Sequence, residues 1–168
     1  MDTGLLIARL VFGLLMTAHG AQKLFGWFGG YGLAGTAGFL DVLGFRPGRV
    51  FATTAALSEF GGGLLIALGL FGPVGPALML SVMIVAAVSV HLKNGIFAMS
   101  NGIELPLLYG AAGVALALTG PGQYSLDAPF GLSAAWTPAL NWTVLGLGIA
   151  GGVANLAIRR PAPAPAAA

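Results

Sequence analysis

Residues 50–84 read VFATTAALSEFGGGLLIALGLFGPVGPALMLSVMI and carry a single formal charge, on Glu59. A stretch this long and this apolar is typical of helices that cross a lipid bilayer, each of which needs about 20 apolar residues. The Phe71-Gly-Pro73 break in its middle predicts a tight turn between two antiparallel spans. A carboxylate inside such a span is costly unless it is paired, protonated or hydrated. Glu59 is therefore either half of an ion pair or part of a site.

The whole chain shares this character. Of its 168 residues 57% are hydrophobic and 7% are charged, against about 25% charged in typical soluble domains, and the mean hydropathy is +0.92. These values indicate an integral membrane protein with one helical bundle. The chain has no cysteine, which excludes a thiol relay, a disulfide or a thiolate metal site on it. It has no basic cluster that would bind nucleic acid, and no HExxH, GxSxG or phosphate-loop motif of a self-contained hydrolase or kinase.

Five stretches are long and apolar enough to be membrane spans. The sequence therefore predicts an all-α fold, with a membrane-embedded four-helix bundle core and a fifth, C-terminal transmembrane helix. The connection between the first two spans contains a short amphipathic helix at residues 35–43, and the Pro/Ala tail at residues 161–168 is expected to be disordered. The predicted spans are residues 5–24, 51–70, 74–92, 103–119 and 139–158.

Positive charges near the ends of these spans predict the orientation of the bundle. Six Lys and Arg residues fall on one side if the chain crosses five times, while the second and fourth connections contain neither residue. This pattern predicts an N-terminus outside and a C-terminus in the cytoplasm. The six residues are Lys23, Arg46, Arg49, Lys93, Arg159 and Arg160.

Small residues recur along the predicted helices and allow their backbones to approach closely. The last span contains a GxxxG motif, Gly148–Gly152. Such a motif packs helices within one chain or forms a face for a homo-oligomer, and the sequence leaves both alternatives open.

The polar residues of the spans cluster in depth near the basic side. At 1.5 Å per residue, Glu59 lies about 13 Å, His19 about 7 Å and Arg9 about 22 Å from that side. We therefore expect Arg9 to be the cationic partner of Glu59 in a pocket that opens inward. The other candidates near the same side are Gln22, Lys23, His91, Asn101 and Glu104.

Each candidate also has a structural interpretation. Lys23 can extend to the lipid headgroups, and Glu104 can complement the helix dipole in the first turn of its helix. His91 can simply end its helix. Arg9 can have the purely structural role of holding two helices together. Two histidines at similar depth are a weak basis for bis-histidine haem, which we do not predict. They are equally suited to hydrogen-bond a quinone carbonyl, with Glu59 or Glu104 as proton donor.

Several motifs resemble the DoxX family. They are Leu10-Val-Phe-Gly-Leu, His19-Gly-Ala-Gln-Lys-Leu-Phe-Gly-Trp-Phe-Gly-Gly, Ser58-Glu-Phe-Gly-Gly-Gly-Leu-Leu, Asn101-Gly-Ile-Glu-Leu-Pro-Leu-Leu-Tyr and Gly120-Pro-Gly-Gln-Tyr-Ser-Leu-Asp. The resemblance implies a DoxX-like four-helix domain over residues 1–130. It also implies a prokaryotic inner-membrane protein associated with membrane redox chemistry. The additional helix at 131–160 is predicted from its hydropathy alone, since the resemblance does not extend to it.

These observations lead to one functional hypothesis and one alternative. The hypothesis is a subunit of a quinone-linked redox complex in sulfur or thiol oxidation or oxidative stress, with membrane or peripheral protein partners. Glu59 and His19 would be its catalytic residues, and the ligand would contact Arg9, Gln22, Lys23, His91, Asn101 and Glu104. The alternative is a non-catalytic assembly or scaffold protein, in which the polar residues only specify helix pairing.

Overall fold

A computed structural model describes residues 1–160, which form six α-helices. These are α1 (Asp2–Phe25), α2 (Gly32–Val42), α3 (Gly48–Leu68), α4 (Val74–Ala86), α5 (Glu104–Thr119) and α6 (Pro138–Ala157). The all-α prediction and the short helix in the first connection are confirmed. The predicted disordered tail, residues 161–168, lies outside the described residues.

Four helices are long and apolar enough to cross a membrane: α1, α3, α6, and α4 together with its continuation to Asn94. The predicted fourth span is shorter than expected, since α5 has 16 residues and is about 24 Å long, against a hydrocarbon core of about 30 Å. Its shortness follows from the residues before it. Gly95, Gly102 and a 3₁₀ turn at Ala98–Ser100 form a folded loop where a longer helix would begin.

Helix α3 ends as its sequence predicts, at a glycine before the Phe71-Gly-Pro73 turn. Gly69 has φ 63°, a left-handed conformation that glycine adopts without steric cost. The Leu70 amide donates to the Leu65 carbonyl at 2.9 Å and the Gly69 amide to the Ile66 carbonyl at 3.1 Å. This is a Schellman motif, which satisfies the last carbonyls of the helix and turns the chain into α4.

The closest helix pair is α1 with α3, and glycines make that approach possible. A Cβ at Gly20 would overlap the backbone of Phe60, and one at Gly63 would overlap the backbone of Thr17. Helix α4 contacts α3, α5 and α6, while α2 lies against α1 and α3. The buried core between the helices is formed by Met16, Ile66, Met79, Tyr109 and Leu116.

The GxxxG motif of the last span is used within the chain. A Cβ at Gly148 would overlap the carbonyl oxygen of Ala77, and one at Gly152 would approach that of Ser81 to 2.9 Å. Both positions therefore pack α6 against α4. Of the two alternatives that the sequence left open for this motif, the structure shows packing within the chain.

The bundle has two chemically different ends. At the basic end, the Arg159 Nε donates to the Leu43 carbonyl at 2.5 Å, and the Arg160 backbone amide donates to the Gly44 carbonyl at 2.8 Å. These two hydrogen bonds hold the end of α6 beside the α2–α3 loop. At the opposite end, the Gln123 amide donates to Asp2 Oδ1 at 3.0 Å. The N-terminus and the end of α6 thus lie at opposite ends of the bundle.

The α1–α3 contact predicts a sharp difference between two alanine substitutions. Gly63→Ala should lower the free energy of unfolding by about 1–3 kcal/mol, because the added methyl overlaps backbone atoms of α1. The matched control is Gly61→Ala on the same helix, where nothing lies within 4 Å of the added Cβ. The measurement is reversible unfolding in mixed micelles, followed by circular dichroism. Equal stabilities for the two variants would contradict the close approach of the helices.

Candidate functional site

Glu59 is paired with a lysine from the neighbouring helix. Lys23 Nζ donates to Glu59 Oε2, joining the last turn of α1 to the middle of α3. Glu59 is 3% exposed, whereas the Lys23 side chain is 30% exposed. A buried carboxylate is tolerated when an opposite charge and a hydrogen bond compensate its lost hydration. The ion pair therefore explains how this apolar span carries a charge.

The expected pairing of Glu59 with Arg9 is wrong. Arg9 is buried near the opposite end of the bundle, where its Nη1 donates to the Pro121 carbonyl at 2.7 Å and its Nη2 to the Tyr124 carbonyl at 2.5 Å. Arg9 and Lys23 lie on one helix, about 21 Å apart along its axis. The α5–α6 loop folds back to provide acceptors for the guanidinium there, and Lys23 is the cation that reaches Glu59.

Asp127 has a structural role that was not predicted from the sequence. Its carboxylate is fully buried and accepts hydrogen bonds from the Phe71 amide at 2.8 Å, the Gly72 amide at 2.7 Å and the Trp136 indole at 2.7 Å. These bonds fasten the α5–α6 loop to the α3–α4 turn. The available signal was a single carboxylate in a connection with no other formal charge.

A cavity of about 250 Å³ lies beside the Lys23–Glu59 pair, at the basic end. We call it the Glu59 cavity. It lies between α2, α3 and the end of α4, and most of its lining is aliphatic or aromatic. Its polar lining residues come from α1, α2, α3 and the segment after α4, and they are Lys23, Thr36, Glu59, Ser89 and His91.

Two of these polar residues belong to a π-helical turn at Ala87–His91 that continues α4. Such turns interrupt α-helices mostly as single widened turns and are frequent at functional sites. The Ser89 hydroxyl is buried and has no hydrogen-bond partner within residues 1–160. The sequence analysis missed Ser89, because hydropathy gives no signal for a π turn. A buried hydroxyl without a partner is uncommon in a folded protein, and beside a cavity it marks Ser89 as a candidate to hydrogen-bond a ligand.

His91 is held in position by the next connection. Its ring Nδ1 lies 2.9 Å from the Asn101 carbonyl oxygen, and the Asn94 side-chain amide donates to the same oxygen at 3.2 Å. Glu104 Oε2 accepts from the Ala98 amide at 2.7 Å. Asn101 and Glu104 therefore shape the α4–α5 loop around His91 and are not among the residues that line the Glu59 cavity.

The structure does not bring His19 into the Glu59 cavity. His19 is exposed, its ring lies edge-on to Tyr109 with centroids 6.1 Å apart, and its Nδ1 is 3.1 Å from Gln22 Oε1. Gln22 and Lys23 line a second cavity of about 330 Å³, which shares Thr36 and Phe39 with the first. Gln22 thus lies next to the site, and His19 lies outside it.

Comparison with known proteins agrees with this architecture. The DoxX family model matches residues 4–92, more than half of the chain. The chain belongs to the DoxX family. It is 30% identical over 131 residues to inner membrane protein YqjF of Escherichia coli (strain K12), an alignment that covers 75% of this chain and 91% of that protein. No solved structure matches the chain.

The DoxX match contains all residues that line the Glu59 cavity, among them Lys23, Glu59, Ser89 and His91. It also contains helices α2 to α4 and all of α1 except its first two residues. The motifs at 101–109 and 120–127, which also carry the resemblance, lie beyond the residues that the family model matches. The matched region therefore coincides with the helices that form the ion pair and the cavity.

The ion pair predicts unequal effects of its two single substitutions. Lys23→Met should cost about 3 kcal/mol of stability, because it leaves a buried carboxylate without its cation. Glu59→Gln should cost less, since the partly exposed Lys23 can extend to the headgroups. In the Lys23→Met/Glu59→Gln double variant the two effects should be non-additive by about 1 kcal/mol or more.

Unfolding of the four proteins in mixed micelles gives this double-mutant cycle. Lys93→Met is the control, because Lys93 is an exposed lysine at the same end of the bundle. Additive single effects, or a loss in Lys93→Met as large as that in Lys23→Met, would refute the pairing.

Proposed function

We propose that this DoxX-family chain binds the headgroup of a membrane quinone in the Glu59 cavity, as the membrane subunit of a redox complex in sulfur or thiol oxidation or oxidative stress. The observation that carries the proposal is the composition of the cavity. An apolar lining surrounds the buried carboxylate of Glu59 with its partly exposed lysine, a histidine, and a serine hydroxyl with no hydrogen-bond partner within residues 1–160. Ligand sites of this kind are mostly apolar, with a few convergent polar groups that fix orientation.

The polar groups match what a quinone headgroup offers. A quinone is an apolar ring with two carbonyl acceptors, and it takes up two electrons and two protons when it is reduced to a quinol. The Ser89 hydroxyl and Lys23 ammonium are donors. Because the Nδ1 of His91 donates to the Asn101 carbonyl, its Nε2 is the atom left for a ligand, an acceptor on the neutral ring and a donor on the protonated one. Glu59 and His91 are the titratable groups placed to hold or transfer protons there.

The electrons must come from another subunit. The chain has no cysteine, so thiol chemistry and thiolate-bound iron–sulfur clusters must belong to a partner. The exposed side chains at the basic end, next to the opening of the cavity, are where such a partner would bind. This chain would then provide the quinone site, and the partner would provide the reductant.

We further propose that the chain crosses the inner membrane five times, with the basic end in the cytoplasm. The relative YqjF is an inner membrane protein. Helix α5 begins beside the folded loop near His91, where the Glu104 backbone amide donates to the Ile96 carbonyl at 2.8 Å. It ends next to Pro121, whose carbonyl accepts from Arg9 near the opposite end of the bundle. Although short, α5 thus runs from one end of the bundle to the other, and the positive residues favour the cytoplasm.

Quinone binding tests the proposed function. Binding of a short-chain ubiquinone or menaquinone analogue to the purified protein can be followed by isothermal titration calorimetry. We expect Ser89→Ala to weaken it by about tenfold, the value of one buried hydrogen bond. The Lys23→Met/Glu59→Gln double variant should weaken it further. His19→Ala is the matched control and should bind normally, because His19 lies outside the cavity.

Equal affinity in all these variants would place the quinone elsewhere. If the wild-type protein bound no quinone analogue and purified with stable protein partners, the scaffold alternative would replace the proposal.

The orientation can be tested by cysteine labelling, because the natural chain has no cysteine. Ser133→Cys lies in the α5–α6 loop and Met99→Cys in the α4–α5 loop, and both positions are exposed. In intact spheroplasts a membrane-impermeant maleimide should label Ser133→Cys and leave Met99→Cys unlabelled until the membrane is opened. The reverse pattern would invert the topology. Labelling of both positions from outside would mean that α5 does not cross the membrane.

A further inference from the structure

Four arginines meet where the end of α6 contacts the α2–α3 loop. Arg46 and Arg49 belong to the loop and to the first turn of α3, and Arg159 and Arg160 directly follow α6. Two hydrogen bonds join the segments. The Arg159 Nε donates to the Leu43 carbonyl, and the backbone amide of Arg160 donates to the Gly44 carbonyl. We propose that this arginine cluster binds the phosphate of an anionic phospholipid.

The cluster concentrates positive charge with little internal compensation. Within residues 1–160 the one ion pair is that of Lys23 and Glu59, so none of the four arginines is paired there. The nearby carboxylate of Asp41 is engaged with the backbone, since its Oδ1 accepts from the Gly48 amide at 2.7 Å. Guanidinium groups bind phosphate oxygens through paired N–H donors. An excess of arginines at headgroup depth therefore favours a phosphate that carries a net negative charge.

The contacts of the cluster with the fold leave donors free for a ligand. Arg159 uses its Nε for the Leu43 carbonyl, so its two terminal nitrogens remain for a ligand. Arg160 contacts Gly44 through its backbone amide, so its whole guanidinium group is uninvolved in that bond. The fold thus fixes the backbone of the cluster and leaves its charged ends available.

An apolar crevice lies beside these charges, behind the buried ring of Phe45. The Arg159 guanidinium lies over the ring of Phe45, 5.7 Å from its centroid. Phe45 in turn lines a narrow, mainly apolar crevice of about 70 Å³ between α2, α3, α4 and α6. A phospholipid joins a phosphate to acyl chains, so one molecule can place its phosphate on the arginines and a chain segment along the crevice. A free phosphate ion would use the arginines alone.

The same bundle end offers a comparison residue. Lys93 is exposed and lies after the π turn of α4, outside the arginine cluster. A general electrostatic attraction of the basic end to anionic membranes would depend on Lys93 as much as on any one of the arginines, since all these charges lie at similar depth. A built site for one lipid depends on Arg46 and Arg160 and is insensitive to Lys93. This difference separates a specific site from a diffuse surface potential.

Lipid titration of the full-length protein tests the proposal. Protein in neutral detergent is titrated with phosphatidylglycerol or phosphatidylcholine, and bound lipid is counted by native mass spectrometry. We expect wild-type protein to prefer phosphatidylglycerol. Arg160→Gln and Arg46→Gln should each lower that affinity by about fivefold, the effect of one charge near a membrane surface. Lys93→Gln should leave it unchanged, and Arg160→Lys should retain most of it.

Three results would overturn the proposal. The first is equal affinity of the wild-type protein for the two lipids. The second is a loss of phosphatidylglycerol affinity in Lys93→Gln as large as that in Arg160→Gln. The third is that inorganic phosphate protects the protein from thermal unfolding as well as phosphatidylglycerol does. Two arginine variants are used so that misfolding of one, detected by gel filtration, still leaves a decisive comparison. The quinone assay uses different variants, because none of the four arginines lines the Glu59 cavity, although Arg159 contacts Leu43 and Phe45, which do.

Discussion

The ion pair between Lys23 and Glu59 is the constraint on which the basic half of this bundle depends. A carboxylate inside an apolar span is tolerated only with a compensating partner, and that partner is on another helix. Helices α1 and α3 must therefore be in register at this depth, and glycines at positions 20 and 63 allow their backbones to approach closely enough. The pair borders a cavity, so one interaction both joins the helices and places charge beside a ligand-sized space.

The two ends of the bundle solve the problem of buried polar groups in different ways. At the opposite end, Arg9 and Asp127 hydrogen-bond to backbone carbonyls, backbone amides and one indole, and they fasten a long loop over the helix ends. Arg9 Nε and Asn141 Oδ1 are buried there without a hydrogen-bond partner within residues 1–160. Beside the Glu59 cavity, the Ser89 hydroxyl is buried with no partner within residues 1–160. A buried hydroxyl with no partner, beside a mainly apolar cavity that also holds an ion pair and a histidine, favours ligand binding. This combination is why we place the proposed site at the basic end.

The sequence predicts the helices well because hydropathy and glycine–proline breaks act locally, as in residues 50–84. It also identifies Lys23, Glu59 and His91, since charged and polar residues in apolar spans stand out from their surroundings. It fails for the partner of Arg9, because that partner is a loop 112 positions further along the chain, and helical periodicity carries no information about where a loop folds. Ser89 was missed for a related reason. It lies in a π turn and lines the cavity, whereas a serine in an apolar helix otherwise looks like a packing residue.

The most direct test of the account is an experimental density map of the protein in a lipid nanodisc with a bound quinone analogue. We predict that the headgroup lies in the Glu59 cavity, within hydrogen-bonding distance of the Ser89 hydroxyl and next to the intact Lys23–Glu59 pair. A cavity closed by repacked side chains, or headgroup density at His19 or on the outer surface with the Glu59 cavity empty, would contradict it.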